Sequence, residues 1–212
     1  MTLKEEIYNN IFNDITAGKY QDGDILTESR LVEKYQVSKS PVREALIELC
    51  KDRVLHSLPR LGYQVVPVTL KEVLDILEYR LDIEICGLKR AFPKFTKEDL
   101  LHLQDMIIKP SELISGDISW QRNLRFHLKI YECSGNKYGY QELEHTIKQS
   151  TRYVSQYFYS AWKRSSASNG ENHKILVDYL MAGDIELACI TLEKDIMFVK
   201  EEIQDLHAHV FG

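Results

Sequence analysis

Between Val54 and Val68 the chain changes period, and nowhere else. The segment "VLHSLPRLGYQVVPV" holds two short β-prone runs, Val54–Leu58 and Tyr63–Val66. Pro59-Arg60-Leu61-Gly62 joins them and Pro67 closes them off. Everything around it repeats at helical spacing. Before it, Leu3, Ile7, Ile11 and Ile15 recur every four residues and stop at Gly18, and "KYQDGDILTE" turns at Asp22-Gly23. Glu28–Tyr35 then predicts a short helix burying Leu31, Val32 and Tyr35, and Gln36-Val37 leads into another. After it, Thr69 and Glu72 form a capping box, and Val73, Leu74, Leu77, Leu81, Ile85 and Leu88 follow on one helical face. Further helices are expected at Lys97–Lys109, Ile118–Cys133, Lys137–Trp162, Glu171–Ala182 and Ile185–Leu206, with "KRSSASNG" as a polar loop. A mainly α protein is therefore expected. Three helices and a β-hairpin form a winged helix-turn-helix over 1–68, and an all-α antiparallel bundle of about six helices fills 69–212.

The helix opened by "VSKSPVREAL" has two distinct faces. Lys39 and Arg43 are four residues apart and share one side, while Val42, Ala45, Leu46 and Leu49 occupy the other. Ser38 suits the N-cap, and Pro41 is tolerated only in a first turn. The N-terminal end, with its two cations, faces outward. A hairpin directly after such a helix reads as a wing whose tip, with Arg60 and Gly62, can lie along a minor groove. The plainer reading of Lys39 and Arg43 is a solvated charged face.

Charge in bulk does not favour nucleic acid. Lysines and arginines number 27 against 32 acidic residues, and residues 1–68 hold nine against ten. A DNA partner has to rest on local placement. No run of about 18 apolar residues spans a membrane. The start, "MTLKEEIYNN", has no apolar signal region, so the cytoplasm is expected. Cys50, Cys86, Cys133 and Cys189 form no CxxC pair and read as reduced, small core residues.

"VSKSPVREAL" and "RLGYQV" resemble the winged helix-turn-helix of GntR-type bacterial transcription regulators. "EYRLDIEICGLKRA", "NLRFHLKIYECSGN" and "ENHKILVDYLMAGDIELA" resemble their FadR-like, FCD-type effector domain. The five motifs stand in register over nearly the whole chain. The resemblance implies a homodimer on a palindromic DNA operator, with Ser38, Lys39, Ser40, Arg43, Arg60 and Gly62 at the DNA. Lys39 stands where the family usually has arginine. Arginine can bridge guanine O6 and N7 while lysine is a point charge, so Lys39 is expected on phosphate or reading guanine less sharply. Arg53 stands where a glycine is usual.

The resemblance also implies a divalent-metal site of one aspartate and three histidines. Its positions here read Asn123, His127, His173 and Asp195. The carboxylate has changed place, and the set suits Zn, Ni, Mn or Fe. A metal-free pocket, with both histidines on the effector, is the alternative. Arg80 stands at the position that faces the effector cavity, where a guanidinium suits a carboxylate-bearing effector, and an ion pair with Glu84 is compatible with that. Tyr153 and Tyr157 are candidates for the same cavity, or for core. His207 and His209 are expected to be exposed and unstructured. The function implied is a ligand-responsive regulator, with repression released by ligand the commoner outcome. Two other classes compete: a metal-dependent enzyme using the same cavity, and an interaction protein that no longer binds DNA.

Overall fold

The computed structural model describes residues 2–107, 116–157 and 159–211, without the side chains of 116–120, 155–157, 159–169, 199 and 202–211. Helix α1, Leu3–Thr16, starts on a capping box between Thr2 and Glu5 and buries Ile7, Ile11, Phe12 and Ile15. Helix α2, Glu28–Tyr35, is capped by Thr27 and ends on Gln36 in the left-handed region. Helix α3, Lys39–Lys51, buries Val42, Ala45, Leu46 and Leu49 against them. The wing strands are β2, Leu55–Leu58, and β3, Gly62–Val65, with Leu55 opposite Val65.

One strand was not expected. Ile25 and Leu26 form β1, which pairs antiparallel with β3 and completes a sheet of order β1-β3-β2. Two residues are too short for an alternating pattern to show, and β1 exists only because β3 offers it an edge. Its approach also explains Gly62, whose φ is 134° and where a Cβ would run into the Leu26 carbonyl. Gly62 thus has a backbone reason to be glycine.

The helical part begins with α4, Leu70–Ala91, on the expected capping box of Thr69 and Glu72. Its buried stripe is Val73, Leu77, Arg80, Glu84, Leu88 and Ala91, so two charged residues lie on its core face. A 3-10 turn at Phe92–Lys94 leads to α5, Lys97–Met106, shorter than expected, since Ile107 is already extended. Helices α6, Gly116–Glu132, and α7, Lys137–Tyr157, are joined by a turn with Gly135 at φ 79°. Helix α8, Tyr159–Ala182, runs straight through the segment expected to be a loop. Serine and alanine do not break a helix, and Gly170 costs it only about 1 kcal/mol. Helix α9, Ile185–Phe211, also carries His207 and His209 in helical backbone, against expectation, while their side chains lie outside the described residues. The side chain of Tyr157 lies outside them too. The cysteines are free; Cys50 and Cys189 are half-buried against the two hydrophobic clusters, Cys133 is half-buried, and Cys86 is exposed and so not core. No helix of the described residues is long and apolar enough to cross a membrane.

Two hydrophobic clusters result. One joins α1, α2, α3 and the wing to Leu124, Leu128 and Tyr131 of α6 and Leu143 and Ile147 of α7. The other fills the bundle around Leu77, Leu88, Phe126, Tyr153, Leu176 and Ile196.

Candidate functional site

Helix α3 presents its first turn to solvent. Ser38, Lys39, Ser40 and Arg43 are all exposed. Ser38 takes the N-cap backbone conformation but makes no side-chain cap bond. The reason is Pro41 at the third helical position, which has no N–H to donate. The Ser38 hydroxyl and the first helical amides are therefore available to an outside acceptor, the usual anion site of a helix start. At the wing, Pro59, Arg60 and Leu61 are exposed, and Arg60 has a φ of 68°.

Glu28, at the start of α2, organises the two cations and was not singled out in the sequence. Arg43 donates to it through Nε at 2.9 Å and Nη2 at 3.1 Å, and Lys39 Nζ lies 3.2 Å away. The Arg43 hydrogen bond, and then Lys39, hold the Glu28 carboxyl below its ordinary pKa. Its only sequence signal is a carboxylate in the first turn of a helix, where the helix dipole by itself already favours an acidic residue. Arg53, the other unexplained residue, adopts φ 57° just after α3, where the amide of Val54 bonds Leu49 O at 2.9 Å. That left-handed helix end is where glycine is favoured.

The second site is a buried chain of charges across α4, α6, α8 and α9. Arg80 Nε donates to Glu84 Oε1 at 2.9 Å, so the expected ion pair is present. Glu84 Oε2 lies 2.6 Å from His127 Nδ1. This turns His127 Nε2 toward Asp195 Oδ2, 3.3 Å away, while His173 Nε2 approaches the same oxygen at 3.4 Å. Phe126 stacks on His173 with ring centres 3.8 Å apart. Asn172 Nδ2 reaches Asp195 Oδ1 at 3.4 Å.

Burial disfavours the charged imidazole of His127, but Glu84 and Asp195 outweigh it and push its pKa up to about 9. Burial leaves His173 below its ordinary value. Burial raises the Asp195 and Glu84 carboxyls, yet the imidazoles, with Arg80 at Glu84, hold both below the usual range.

His127, His173 and Asp195 place one ligand atom each within 4.8 Å of one another. His127 Nε2 and both ring nitrogens of His173 have no aligned hydrogen-bond partner among the described residues. Unsatisfied buried nitrogens converging on a carboxylate fit a divalent ion. Glu84 stands where a carboxylate fixes a ligating imidazole's orientation. Asn123, the fourth expected position, is buried one turn before His127 on α6. Arg80 is buried beside the cluster, and its Nη1 reaches Ser150 Oγ at 3.5 Å. Tyr153 belongs to the same apolar cluster as Phe126.

A winged helix-turn-helix with an outward cationic first turn, joined to a helical bundle with a buried polar centre, defines a DNA-binding protein with a sensor part. Residues 3–65 match the family described as bacterial regulatory proteins, gntR family, and residues 75–196 match the FCD domain. The chain belongs to the gntR family, in its FCD-bearing form, a family of transcription regulators and not of enzymes. A regulator of Bacillus subtilis strain 168, YdhC, is 26% identical over 144 residues, 66% of this chain and 64% of that one. The gluconate operon transcriptional repressor of the same organism is 25% identical over 91% of this chain and 81% of that one. In fold, E. coli McbR/YncC matches with a TM-score of 0.77 over 99% of both chains at 23% identity. The metal-dependent enzyme alternative finds no support among them.

Proposed function

We propose that residues 1–68 are a DNA-binding domain and 69–212 an effector-binding and dimerisation domain, acting as a homodimer on a palindromic operator in the cytoplasm. The observation that carries this is the exposed first turn of α3, with Lys39 and Arg43 held side by side by Glu28. Entering a major groove, Arg43 would reach base edges and Lys39 phosphate. Ser38, Ser40 and the helix start would take a second phosphate, and Arg60 the minor groove, with Gly62 shaping the wing. The outcome is repression, the role named for the gluconate-operon relative.

The bundle takes a small carboxylate-bearing effector, with Arg80 as its charged partner and Tyr153 on its apolar side. His127, His173 and Asp195, with Asn123, would hold a divalent ion, Zn, Ni, Mn or Fe. Bound there, the ion would supply a Lewis-acid contact for the effector's carboxylate.

Two measurements test the reading. A duplex selected from a random pool by the wild-type protein should bind Arg43→Ala about 10–100-fold more weakly, the range of one bidentate base contact. Unchanged affinity would remove α3 as the reading helix. Elemental analysis of purified protein should find one transition ion per subunit, absent from His127→Ala/His173→Ala. Full occupancy in that double variant would refute the ligand set.

A further inference from the structure

Helix α7 touches the C-terminal end of α3 and the legs of the wing with some of its side chains, and the buried centre with others. Asp52 caps the C-terminal end of α3 and is only 2% exposed. Lys148 of α7 donates to its Oδ2 at 2.9 Å, and His145 Nδ1 lies 2.6 Å from Oδ1. Tyr8 of α1 donates to the same carboxylate. One turn further along α7, Arg152 is 1% exposed. It donates to Asp22 at 2.9 Å, to Val54 O at 3.5 Å and to the carbonyl of Val66. Val54 and Val66 flank the two wing strands, so α7 grips the end of the recognition helix and both legs of the wing. Leu143 and Ile147, on the Ser150 face of α7 but nearer its start, join the apolar core of α1 and α3.

Further along α7, that face belongs to the buried centre. Ser150 receives Arg80, and Tyr153 and Val154 pack in the cluster of Phe126. Ser150 and Arg152 are two residues apart, which on a helix places them on nearly opposite sides. Among the described residues, no hydrogen bond or ion pair joins an α4 side chain to α3 or the wing, although α4 follows the wing in the chain.

We propose that α7 transmits occupancy of the buried centre to the recognition helix, with Arg80–Ser150 as its input and Asp52, Lys148, His145 and Arg152 as its output. This rests on reading the buried centre as a ligand site. The physical argument is rigidity. An α-helix moves as a unit, so a shift on its Ser150 side is felt at Lys148 and Arg152. There, the buried carboxylate of Asp52 and the buried guanidinium of Arg152 hold the C-terminal end of α3 and the legs of the wing. Coupling of this kind is reciprocal, so operator binding would also alter affinity at the centre.

The test is hydrogen exchange on the full chain, stripped with chelator, with Zn²⁺ alone as the probe. In wild type, saturating Zn²⁺ should change exchange roughly fivefold or more in peptides over residues 49–58. In Asp52→Asn that response should vanish, while peptides over 123–130 and 145–154 still respond. Lys148→Gln makes the same cut from the other side if Asp52→Asn does not fold. A response at 49–58 that survives both variants overturns the proposal, as does its absence in wild type that binds Zn²⁺. If peptides over 123–130 and 173–177 ignore Zn²⁺, the metal reading fails instead, and Arg80→Lys replaces zinc as the perturbation. Its effect at 49–58 must then appear in otherwise native protein and disappear with Asp52→Asn; any other pattern overturns the coupling.

Discussion

Arg53 shows how one residue can carry a cost that its neighbours impose. The helix end after α3 demands a left-handed residue, and Arg53 supplies it at φ 57°. For a residue with a Cβ that conformation costs about 1–2 kcal/mol. Glycine would avoid it but lose about 0.5–1 kcal/mol to its own flexibility. Arg53→Gly should therefore stabilise by roughly 0.5–1 kcal/mol, a rise in Tm of about 1–4 °C by calorimetry for a chain of this size. A fall in Tm would mean that the guanidinium contributes more than the backbone strain removes. At the same scale, Glu28 shows why a charged helix face is not simply solvated. Its bidentate bond to Arg43 fixes the guanidinium before any partner arrives.

Helix α5 is held at its start by an element-scale device. Thr96 and Asp99 form a capping box, and Lys129 of α6 lies 3.1 Å from the same carboxylate. The Thr96 bonds, then Lys129, depress the Asp99 pKa from 3.8 to about 2. A depressed carboxylate contributes stability above its unfolded pKa and loses it as pH falls through the folded value. The start of α5 should hence loosen between about pH 4 and 2. NMR titration should find the Asp99 midpoint near 2, and Asp99→Asn should show the loosened amides already at neutral pH. An ordinary midpoint near 3.8 would contradict the cap. The start of α5 at Lys97 was expected from the sequence, although the Thr96–Asp99 cap that fixes it was not singled out there. The loop expected at 163–170 did not form, because polar composition alone does not stop a helix; a stop needs a residue such as Gly183, at φ 78°.

In the whole molecule, the buried centre ties α4, α6, α8 and α9 together, so an ion bound there favours the folded state alone. At a hundredfold excess over Kd such binding stabilises by about 2.7 kcal/mol, or roughly 5–10 °C in Tm. Adding Zn²⁺ to chelator-treated protein should produce that rise and should not do so in His127→Ala/His173→Ala. An unmoved Tm at saturating ion in the wild type would show that the centre is a polar pocket.

Short-range pattern alone determined the α3 faces, the capping box at Thr69, the wing hairpin and the helical remainder. Each depends on residues within a turn or two, where spacing and backbone preference act directly. His127, His173 and Asp195 were legible only through family motifs. Tertiary structure decided the rest: β1 on the edge of β3, Glu84 behind His127 from 43 residues away, and Lys148 on Asp52 from 96 away. Burial is what makes those partners necessary, since a buried charge must find its counterpart wherever the fold brings one, and no local pattern records which it will be.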